Sequence, residues 1–359
     1  MIYRDDLKNI KPYQPGKPIE EVKRELRLKK VYKLASNESP FSPKYLKKAL
    51  LAELENINRY PESSCFYLRK VLAKELKVKP ETLVFGNGSD EIIALSLRAL
   101  ISEGDEVIVS YPSFLIYEIQ AKIHGAKIKK VPLRNLKYSL DDIAKKINKR
   151  TKIIFIANPD NPTGSYLNSS QVRNFLKKIP KSIVVFLDEA YFEFAPKDFP
   201  KSLKLLKERG NIIITRTFSK AYSLAGLRIG YAITTKEIAT ILNTIREPFN
   251  INRIAQSCAL TALKNKKFMR AVVAFTNNEK NYFYNQLSGL GLSFKESATN
   301  FVLVDFKKNT ANLFKFLLKK GVIIRTLAGW GLPNYFRVTV GLAKENKSFI
   351  EYLKQYLKK

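Results

Sequence analysis

Lys220 is the residue in this sequence best suited to covalent chemistry. It stands in "TRTFSKAYSLAGLRIGYA" (residues 215–232), directly after an apolar segment that predicts a buried strand. A lysine at the end of such a strand is partly removed from water, which lowers its pKa and favours the neutral, nucleophilic amine. Thr217, Ser219 and Arg228 add two hydroxyls and a guanidinium within the same stretch. Taken alone, the stretch is also compatible with one more solvated lysine.

A second polar group follows a hydrophobic strand in "IVVFLDEAYFEF" (residues 183–194). Asp188 ends that strand, where a carboxylate is costly unless it is paired. A buried acid at this point can hold the proton of a partner, and Tyr191 lies just beyond it. The alternative is that Asp188 only caps the following helix.

Two turns also bring polar groups to strand ends. In "FGNGSDE" (residues 85–91), glycines precede Ser89, where a helix begins, and a helix N-terminus reached in this way attracts phosphate. In "ANPDNPTG" (residues 157–164), two Asn-Pro pairs predict a rigid loop from which Asn161 can offer an amide donor. Neither stretch is a dinucleotide fingerprint or a P-loop, and each alone is compatible with a plain turn.

Helices and short apolar strands alternate from about residue 43 and must position these groups. Seven nearly continuous apolar segments, separated mostly by helices, predict an α/β domain with a mainly parallel seven-stranded sheet covered on both faces. Ligands of such sheets bind at the carboxyl ends of the strands, which is where all four stretches fall. We divide the chain into an N-terminal arm (1–40), a large α/β domain (41–250) and a smaller α+β domain (251–359).

The composition narrows the class of protein. Two cysteines and one histidine argue against a disulfide framework, a metal site and a serine–histidine triad, and favour a cytoplasmic protein. The N-terminus lacks the apolar centre of a secretory signal. Sixty-four Lys and Arg against 32 Asp and Glu give a net charge of +32. Because these lysines form no single tract and accompany no nucleic-acid-binding motif, we interpret them as a solvated surface without a specific nucleic-acid partner.

The four stretches, in this order, resemble those of the fold-type I pyridoxal-phosphate-dependent aminotransferases. "SKAYSLAGLRIGYA", "NPTG" and "DEAYFEF" carry the resemblance, and "KPYQ", "KLASNESPFSP", "NRYPE", "VIIR" and "FRVTVG" extend it over nearly the whole chain. Within that class the chain is most similar to the histidinol-phosphate aminotransferases. The resemblance implies pyridoxal 5'-phosphate as cofactor. It also implies amino transfer between histidinol phosphate and 2-oxoglutarate in the histidine-biosynthetic pathway.

The resemblance also assigns roles to the residues around the cofactor ring. It implies that Lys220 forms a Schiff base with the cofactor aldehyde and afterwards shuttles the proton between substrate and cofactor carbons. Asp188 is expected to keep the pyridine nitrogen protonated, which makes the ring an electron sink. Asn161 and Tyr191 are expected to bond the ring's phenolic oxygen, and Phe114 to stack on the ring.

Anion-binding roles follow in the same way. The resemblance implies a cofactor-phosphate site formed by a helix terminus, two hydroxyls and a guanidinium: Ser89, Asp90, Thr217, Ser219 and Arg228. Arg337 is expected to pair with the α-carboxylate of the glutamate donor, and Arg325 and Tyr13 to contact the substrate's phosphate end. Tyr60 is expected to reach the cofactor phosphate of a neighbouring subunit, which implies a homodimer with shared active sites.

One departure and two alternatives accompany this interpretation. Ser223 stands where relatives commonly have glycine, and it costs about 1 kcal/mol or more if the backbone there needs a positive φ. An aminotransferase acting on aromatic amino acids would need no site for a substrate phosphate. A decarboxylase of phosphothreonine, which shares the scaffold, would release carbon dioxide.

Overall fold

The computed structural model describes residues 2, 4, 7–8 and 10–358. Its strands are β1 (Tyr32–Lys33), β2 (Leu83–Gly86), β3 (Glu106–Tyr111), β4 (Lys127–Pro132), β5 (Thr151–Ala157), β6 (Val184–Asp188), β7 (Ile212–Thr217), β8 (Gly230–Ile233), β9 (Ser293–Lys295), β10 (Phe301–Asp305), β11 (Val322–Ile323), β12 (Arg325–Leu327) and β13 (Leu332–Thr339).

The helices of the described chain alternate with most of these strands. They are α1 (Ile19–Leu26), α2 (Lys47–Leu54), α3 (Phe66–Leu76), α4 (Ser89–Leu100), α5 (Leu115–Ile123), α6 (Leu140–Lys145), α7 (Ser169–Lys178), α8 (Ser202–Arg209), α9 (Lys236–Ile245), α10 (Arg253–Lys264), α11 (Lys266–Gly289), α12 (Ala311–Lys319) and α13 (Ala343–Leu357). None of the helices in the described ranges combines the length and apolar character that a membrane crossing requires.

Seven strands form the large sheet, in the order β2-β8-β7-β6-β5-β3-β4. The five strands from β3 to β7 pair in parallel, whereas β8 is antiparallel to its neighbours β2 and β7. The prediction of a mainly parallel seven-stranded sheet in an α/β domain is therefore confirmed. Strand β8 is antiparallel to β7 because residues 218–229 form a turn that returns the chain along β7.

Continuous apolar sequence in the central strands is explained by burial on both faces. Ile154 and Ile156 of β5 point into one hydrophobic cluster, with residues of α3, α7 and α10. Ile153 and Phe155, on the opposite face, join a second cluster with residues of α4, α5 and α9. Successive strand residues face opposite sides, so a strand covered by helices on both sides needs apolar residues at every position.

A smaller antiparallel sheet, in the order β12-β13-β10-β9, lies in the C-terminal part of the chain. Residues of α11, α12 and α13 cover it, including the fully buried Phe283, Leu313 and Phe349. The arm joins this part: β1 pairs in parallel with β11, and Val22 of α1 packs against Ile323.

The predicted boundary at residue 250 is sharpened by the packing of α10. The first helical residues of the predicted α+β domain form two helices, α10 and α11, that meet at Asn265. Ala255, Cys258 and Ala259 of α10 are fully buried in a cluster of the large sheet, together with residues of α3. We therefore propose that the small domain begins near residue 265, with α11 as its first helix.

Ser223 adopts a backbone conformation that favours glycine. Its φ is +62°, in the left-handed region, within a turn closed by a bond from the Ser223 amide to the Lys220 carbonyl (3.1 Å). The Ser223 hydroxyl bonds Ser39 Oγ at 2.7 Å, which links the turn to the arm. The strain of a side chain at this φ is thus offset by a hydrogen bond that glycine lacks.

Two substitutions separate these effects. Ser223→Ala keeps the strain and loses the hydrogen bond, so its unfolding free energy falls by about 1 kcal/mol. Ser223→Gly loses the bond but relieves about 1 kcal/mol of strain, so it stays close to the native value. Denaturant unfolding of the three proteins measures this order. An alanine variant as stable as the glycine variant would contradict the account.

Candidate active site

A cavity of about 470 Å³ lies at the carboxyl ends of β5, β6 and β7. Three separate parts of the chain line it: the arm, represented by Tyr13, the strand ends with Asp188 and Lys220, and the small sheet with Arg337. Of the 14 residues predicted for the site, Tyr60 is the one that does not line this cavity. The structure therefore gathers residues that are more than 300 positions apart in the sequence.

Lys220 lies in the turn that follows β7, with its Nζ 5.7 Å from the centroid of the Tyr191 ring. Burial, together with the positive charge of Arg337, lowers the pKa of this lysine to about 8, while the negative charges of Asp90 and Glu38 oppose the shift. An amine with this pKa is partly neutral near pH 8. It is therefore available as a nucleophile or as a base.

Asp188 ends β6 with only 4% of its surface exposed. Burial raises the pKa of this carboxyl to about 6, while hydrogen bonds oppose the shift. Three donors supply those bonds: the Tyr117 hydroxyl (2.6 Å), the Ala190 amide (3.1 Å) and the Thr215 hydroxyl (3.3 Å). The donors stabilise a carboxylate that can pair with a protonated base in the cavity.

Tyr117 was not among the residues predicted for the site. It is 1% exposed in α5, where its ring stacks on Phe155 of β5 at 4.8 Å. The sequence did contain a signal, because Tyr117 comes one helical turn after Phe114 and therefore faces the same side of α5. Phe114 lines the cavity, and its ring meets that of Tyr117 edge-on at 5.5 Å.

Tyr191 is held by a residue of the arm that was also missed. The side-chain amide of Asn37 donates to the Tyr191 hydroxyl at 2.7 Å, and Asn37 is 2% exposed. Burial raises the pKa of Tyr191, so its hydroxyl stays protonated at neutral pH. The Tyr191 hydroxyl, which accepts from Asn37, keeps its own proton to donate into the cavity.

An anion site is built where α4 begins. Ser89 is the first residue of α4, and its backbone N–H belongs to the first turn, whose amides have no partner within the helix. Thr217 and Ser219 lie beside it in the cavity wall and bond each other, with 3.0 Å between their hydroxyl oxygens. Arg228 pairs with Asp90 at 3.5 Å, and burial raises the pKa of Asp90. Helix amides, hydroxyls and a guanidinium together suit a phosphate.

Glycines let Arg228 and the first turn of α4 lie close to the neighbouring backbone. A Cβ on Gly88 would lie 2.5 Å from Arg228 Nη2, and one on Gly230 would lie 2.9 Å from the Ser89 amide nitrogen. The atoms that face Gly230 belong to the backbone and cannot move aside, and the φ of +79° at Gly88 strains any side chain, so glycine is favoured at both positions.

Arg337 lies on β13 of the small sheet and is 4% exposed. It donates to Asn161 Oδ1 and to the Ala35 carbonyl, the latter at 2.9 Å. Its Nε has no hydrogen-bond partner among the described residues. Burial lowers the pKa of Arg337 to about 10, so the group stays cationic at neutral pH. The arginine thus keeps a donor and a charge for a carboxylate.

Arg325, on β12, provides a second cation. Its guanidinium carbon lies 5.0 Å from the Trp330 ring centroid and 5.7 Å from that of Tyr13, and it donates to the Gln14 carbonyl. The Nε of Arg325 is also without a partner in the part of the chain that the structure describes. Two arginines with free donors give the cavity a place for a second anionic group.

Comparison with known proteins agrees with this site. The sequence model of the aminotransferases of class I and II matches residues 29–353. A histidinol-phosphate aminotransferase of Moorella thermoacetica is 43% identical over 99% of this chain and 92% of its own, and one of Caldicellulosiruptor saccharolyticus is 42% identical over 99% and 100%.

A solved structure of histidinol-phosphate aminotransferase from Sinorhizobium meliloti, in complex with pyridoxal-5'-phosphate, superposes with a TM-score of 0.91 at 27% identity. The likeness covers 99% of this chain and 98% of that one. The family match spans both sheets and the segment that joins them. This chain belongs to the class I and II aminotransferase family.

Proposed function

We propose that this chain is a pyridoxal-phosphate-dependent transaminase that exchanges an amino group between histidinol phosphate and 2-oxoglutarate, as in histidine biosynthesis. One observation carries the proposal: a partly neutral Lys220 and a buried Asp188 share a cavity with a phosphate site and two arginines. The relatives that bear this name match nearly the whole chain. The cytoplasmic location stays a prediction.

The residues present fit the cofactor. The close contact of Gly88 with Arg228 forms a cradle for its phosphate, which a Cβ would fill. Asp188 would hold the pyridine nitrogen, Lys220 the aldehyde carbon, and Tyr191 with Asn161 the phenolic oxygen. When bound, pyridoxal phosphate supplies an electron sink for the charge left on the substrate carbon.

Lys220 has two tasks in this proposal. Its amine would hold the aldehyde carbon of the cofactor and, with an amino substrate bound, would take up and return the proton at the substrate's α-carbon. A pKa of about 8 suits both tasks, because the amine accepts and releases a proton near neutral pH. Tyr191 and Asn161 would orient the cofactor ring through its phenolic oxygen.

Asp188 holds a proton on its partner rather than keeping one itself. Three hydrogen bonds favour its ionised form, and Tyr117 contributes the shortest, at 2.6 Å. A buried carboxylate facing a protonated ring nitrogen forms a charge pair in a medium of low dielectric. The pair offsets part of the cost of burying Asp188.

Substrate selection follows from the two arginines. Arg337 would bind the α-carboxylate of glutamate, while Arg325 and Tyr13 would bind the phosphate of histidinol phosphate. An aromatic amino acid has no second anionic group for Arg325. Among the described residues the Nε of Arg325 has no hydrogen-bond partner, which argues against an aminotransferase for aromatic amino acids. A phosphothreonine decarboxylase would need the same contact between Arg325 and a substrate phosphate. It is distinguished from a transaminase by its product, carbon dioxide.

The site also fits a homodimer. Tyr60 is 78% exposed and stacks on Phe249 with 4.6 Å between ring centroids, outside the cavity. Exposed apolar side chains accompany it: Leu50, Leu51, Leu54, Ile57, Phe66, Tyr67 and Phe249. A surface of this kind is suited to contact with another protein, and a second copy would place Tyr60 at the partner's cofactor phosphate.

The proposed reaction is tested first with substrates. Purified protein with pyridoxal phosphate should form glutamate from histidinol phosphate and 2-oxoglutarate. Arg325 would bind the phosphate of the first substrate, and Arg337 would bind the carboxylate of the second. Phenylalanine in place of histidinol phosphate should react far more slowly. Faster turnover of phenylalanine would reassign the substrate, and carbon dioxide released from phosphothreonine would reassign the reaction.

Lys220→Ala should remove the covalent link to the cofactor and lower kcat by about 10⁴-fold or more, since nucleophile and base are lost together. Borohydride reduction followed by mass spectrometry measures the link directly. The native protein should gain the mass of the reduced cofactor at Lys220, and the variant should not. The exposed Lys197→Ala is the matched control and should behave as native. An undiminished adduct in Lys220→Ala would refute the role.

Arg325→Gln should lower kcat/KM for histidinol phosphate about 10- to 100-fold, the effect of one or two lost bonds to a charged group. Histidinol, which lacks the phosphate, should react equally with both proteins. The exposed Arg173→Gln is the matched control, since Arg173 only pairs with Glu208 at the surface. Equal losses for both substrates would show that Arg325 does not read the phosphate.

A further inference from the structure

Asp160 is a buried carboxylate to which the proposed reaction assigns no task. It lies between Asn158 and Asn161 in the loop after β5, and it is 0% exposed. Burial raises the pKa of Asp160 to about 6, and hydrogen bonds from Ser113 and Thr163 oppose the shift. A buried carboxylate must be stabilised by hydrogen-bond donors, and the donors to Asp160 show which segments of the chain it connects.

Four donors surround the two oxygens of Asp160. Oδ1 accepts from the Ser113 hydroxyl at 2.6 Å and from the Tyr138 hydroxyl at 3.3 Å. Oδ2 accepts from the Thr163 amide at 3.2 Å and from the Thr163 hydroxyl at 2.8 Å. The two oxygens thus face different segments, one the loop before α5 and the other its own loop.

Each of these segments carries a residue of the site. Ser113 directly precedes Phe114, the ring expected to stack on the cofactor. Asn161, expected at the phenolic oxygen, directly follows Asp160 and accepts a bond from Arg337. A shift of one loop against the other would therefore move the Phe114 ring relative to the Asn161 amide.

Ser113 extends the connection to the small sheet. Its carbonyl accepts from Trp330 Nε1 at 2.8 Å, and Trp330 is 2% exposed. The Trp330 ring lies 5.0 Å from the guanidinium of Arg325. One short path therefore joins Asp160, Ser113 and Trp330 to the arginine assigned to the substrate's phosphate end.

We propose that Asp160 is a positioning residue for amino transfer, which fixes the loop of Asn161 against the loop of Phe114 and, through Ser113, against Trp330 beneath Arg325. The inference rests on the proposed function for the identity of the substrate. The part of the inference that concerns Asn161 and Phe114 involves only residues expected at the cofactor and holds for any amino substrate.

The sequence offers a reporter for this path. Trp330 is the only tryptophan in the chain, so intrinsic emission excited at the red edge reports on the bond to Ser113. Asp160→Asn keeps the size of the side chain but replaces one acceptor oxygen by a donor, which faces the donors of Ser113 or Thr163. Ser113→Ala removes one donor and leaves the carbonyl that Trp330 uses.

With the holoenzyme, Asp160→Asn should lower kcat/KM for histidinol phosphate about 10- to 100-fold, the effect of misplacing contacts by a fraction of an ångström to 1 Å. It should also release pyridoxal phosphate faster and shift Trp330 emission to the red. Ser113→Ala should show the kinetic effect with a smaller emission shift. The double variant should lose less than the product of the two single effects, because both break one connection.

The exposed Asp141→Asn is the matched control, since it changes the same charge at the surface, where Asp141 pairs with Lys178. It should leave all three measurements unchanged. A purely structural role would lower the thermal stability of Asp160→Asn while kcat/KM, cofactor release and emission of the folded protein stay native, and that result overturns the proposal.

Two further outcomes are also decisive. If the native protein does not use histidinol phosphate, the proposed substrate fails, while cofactor release and Trp330 emission still decide the role of Asp160. If Asp160→Asn does not fold, Ser113→Ala gives the answer, because Asp160 then keeps the Tyr138 hydroxyl and the Thr163 amide and hydroxyl as donors. Native cofactor release and kinetics in Ser113→Ala would refute the connection.

Discussion

Burial of charge at the carboxyl edge of the large sheet is the constraint on which the rest of the structure depends. An isolated ionised group in this position is expensive, so each one requires donors, a partner or a shifted pKa. Asp188 receives three hydrogen bonds, whereas Lys220 responds with a pKa of about 8. The burial that shifts the pKa values of these groups therefore also lowers the free energy of unfolding, since ionisable groups are the most costly to bury.

The alternation of side chains along β6 and β7 places the cavity residues on one side of the sheet and a buried ion pair on the other. Asp188 and Thr215 bond each other across β6 and β7 on the cavity side. Glu189 and Arg216, each one position further, form a buried ion pair on the other side, with Nε and Nη2 both 2.9 Å from Oε2. Because neighbouring residues of a strand face opposite sides, the pair fixes the ends of both strands without entering the cavity. Breaking a buried pair of this kind is costly, which holds the site rigid.

Sequence reasoning predicted what is local in the chain and missed what depends on distant contacts. The seven strands were predicted correctly because burial on both faces leaves continuous apolar runs. The roles of Lys220, Asp188 and Arg228 stay predictions, although the structure brings these residues into one cavity. Tyr117 and Asn37 were missed because their partners lie 71 and 154 residues away. The spacing from Phe114 places Tyr117 on the cavity side of α5, but it does not indicate the bond to Asp188, and no local pattern indicates the bond of Asn37. The boundary that we propose near residue 265 differs from the predicted one at residue 250 because helical periodicity does not say against which sheet α10 packs.

The arm completes the site because it fills the gap between the two sheets. Asn37 donates to Tyr191 on the large domain, accepts from Thr339 on β13, and its carbonyl accepts from Asn300. Two residues earlier, the Ala35 carbonyl accepts from Arg337. Arg337 and Tyr191 are therefore both hydrogen-bonded to the same short segment of the arm. The arm is thus a structural part of the cavity, since it joins Arg337 of the small sheet to Tyr191 of the large domain, and the two residues keep their relative position only while this segment stays in place.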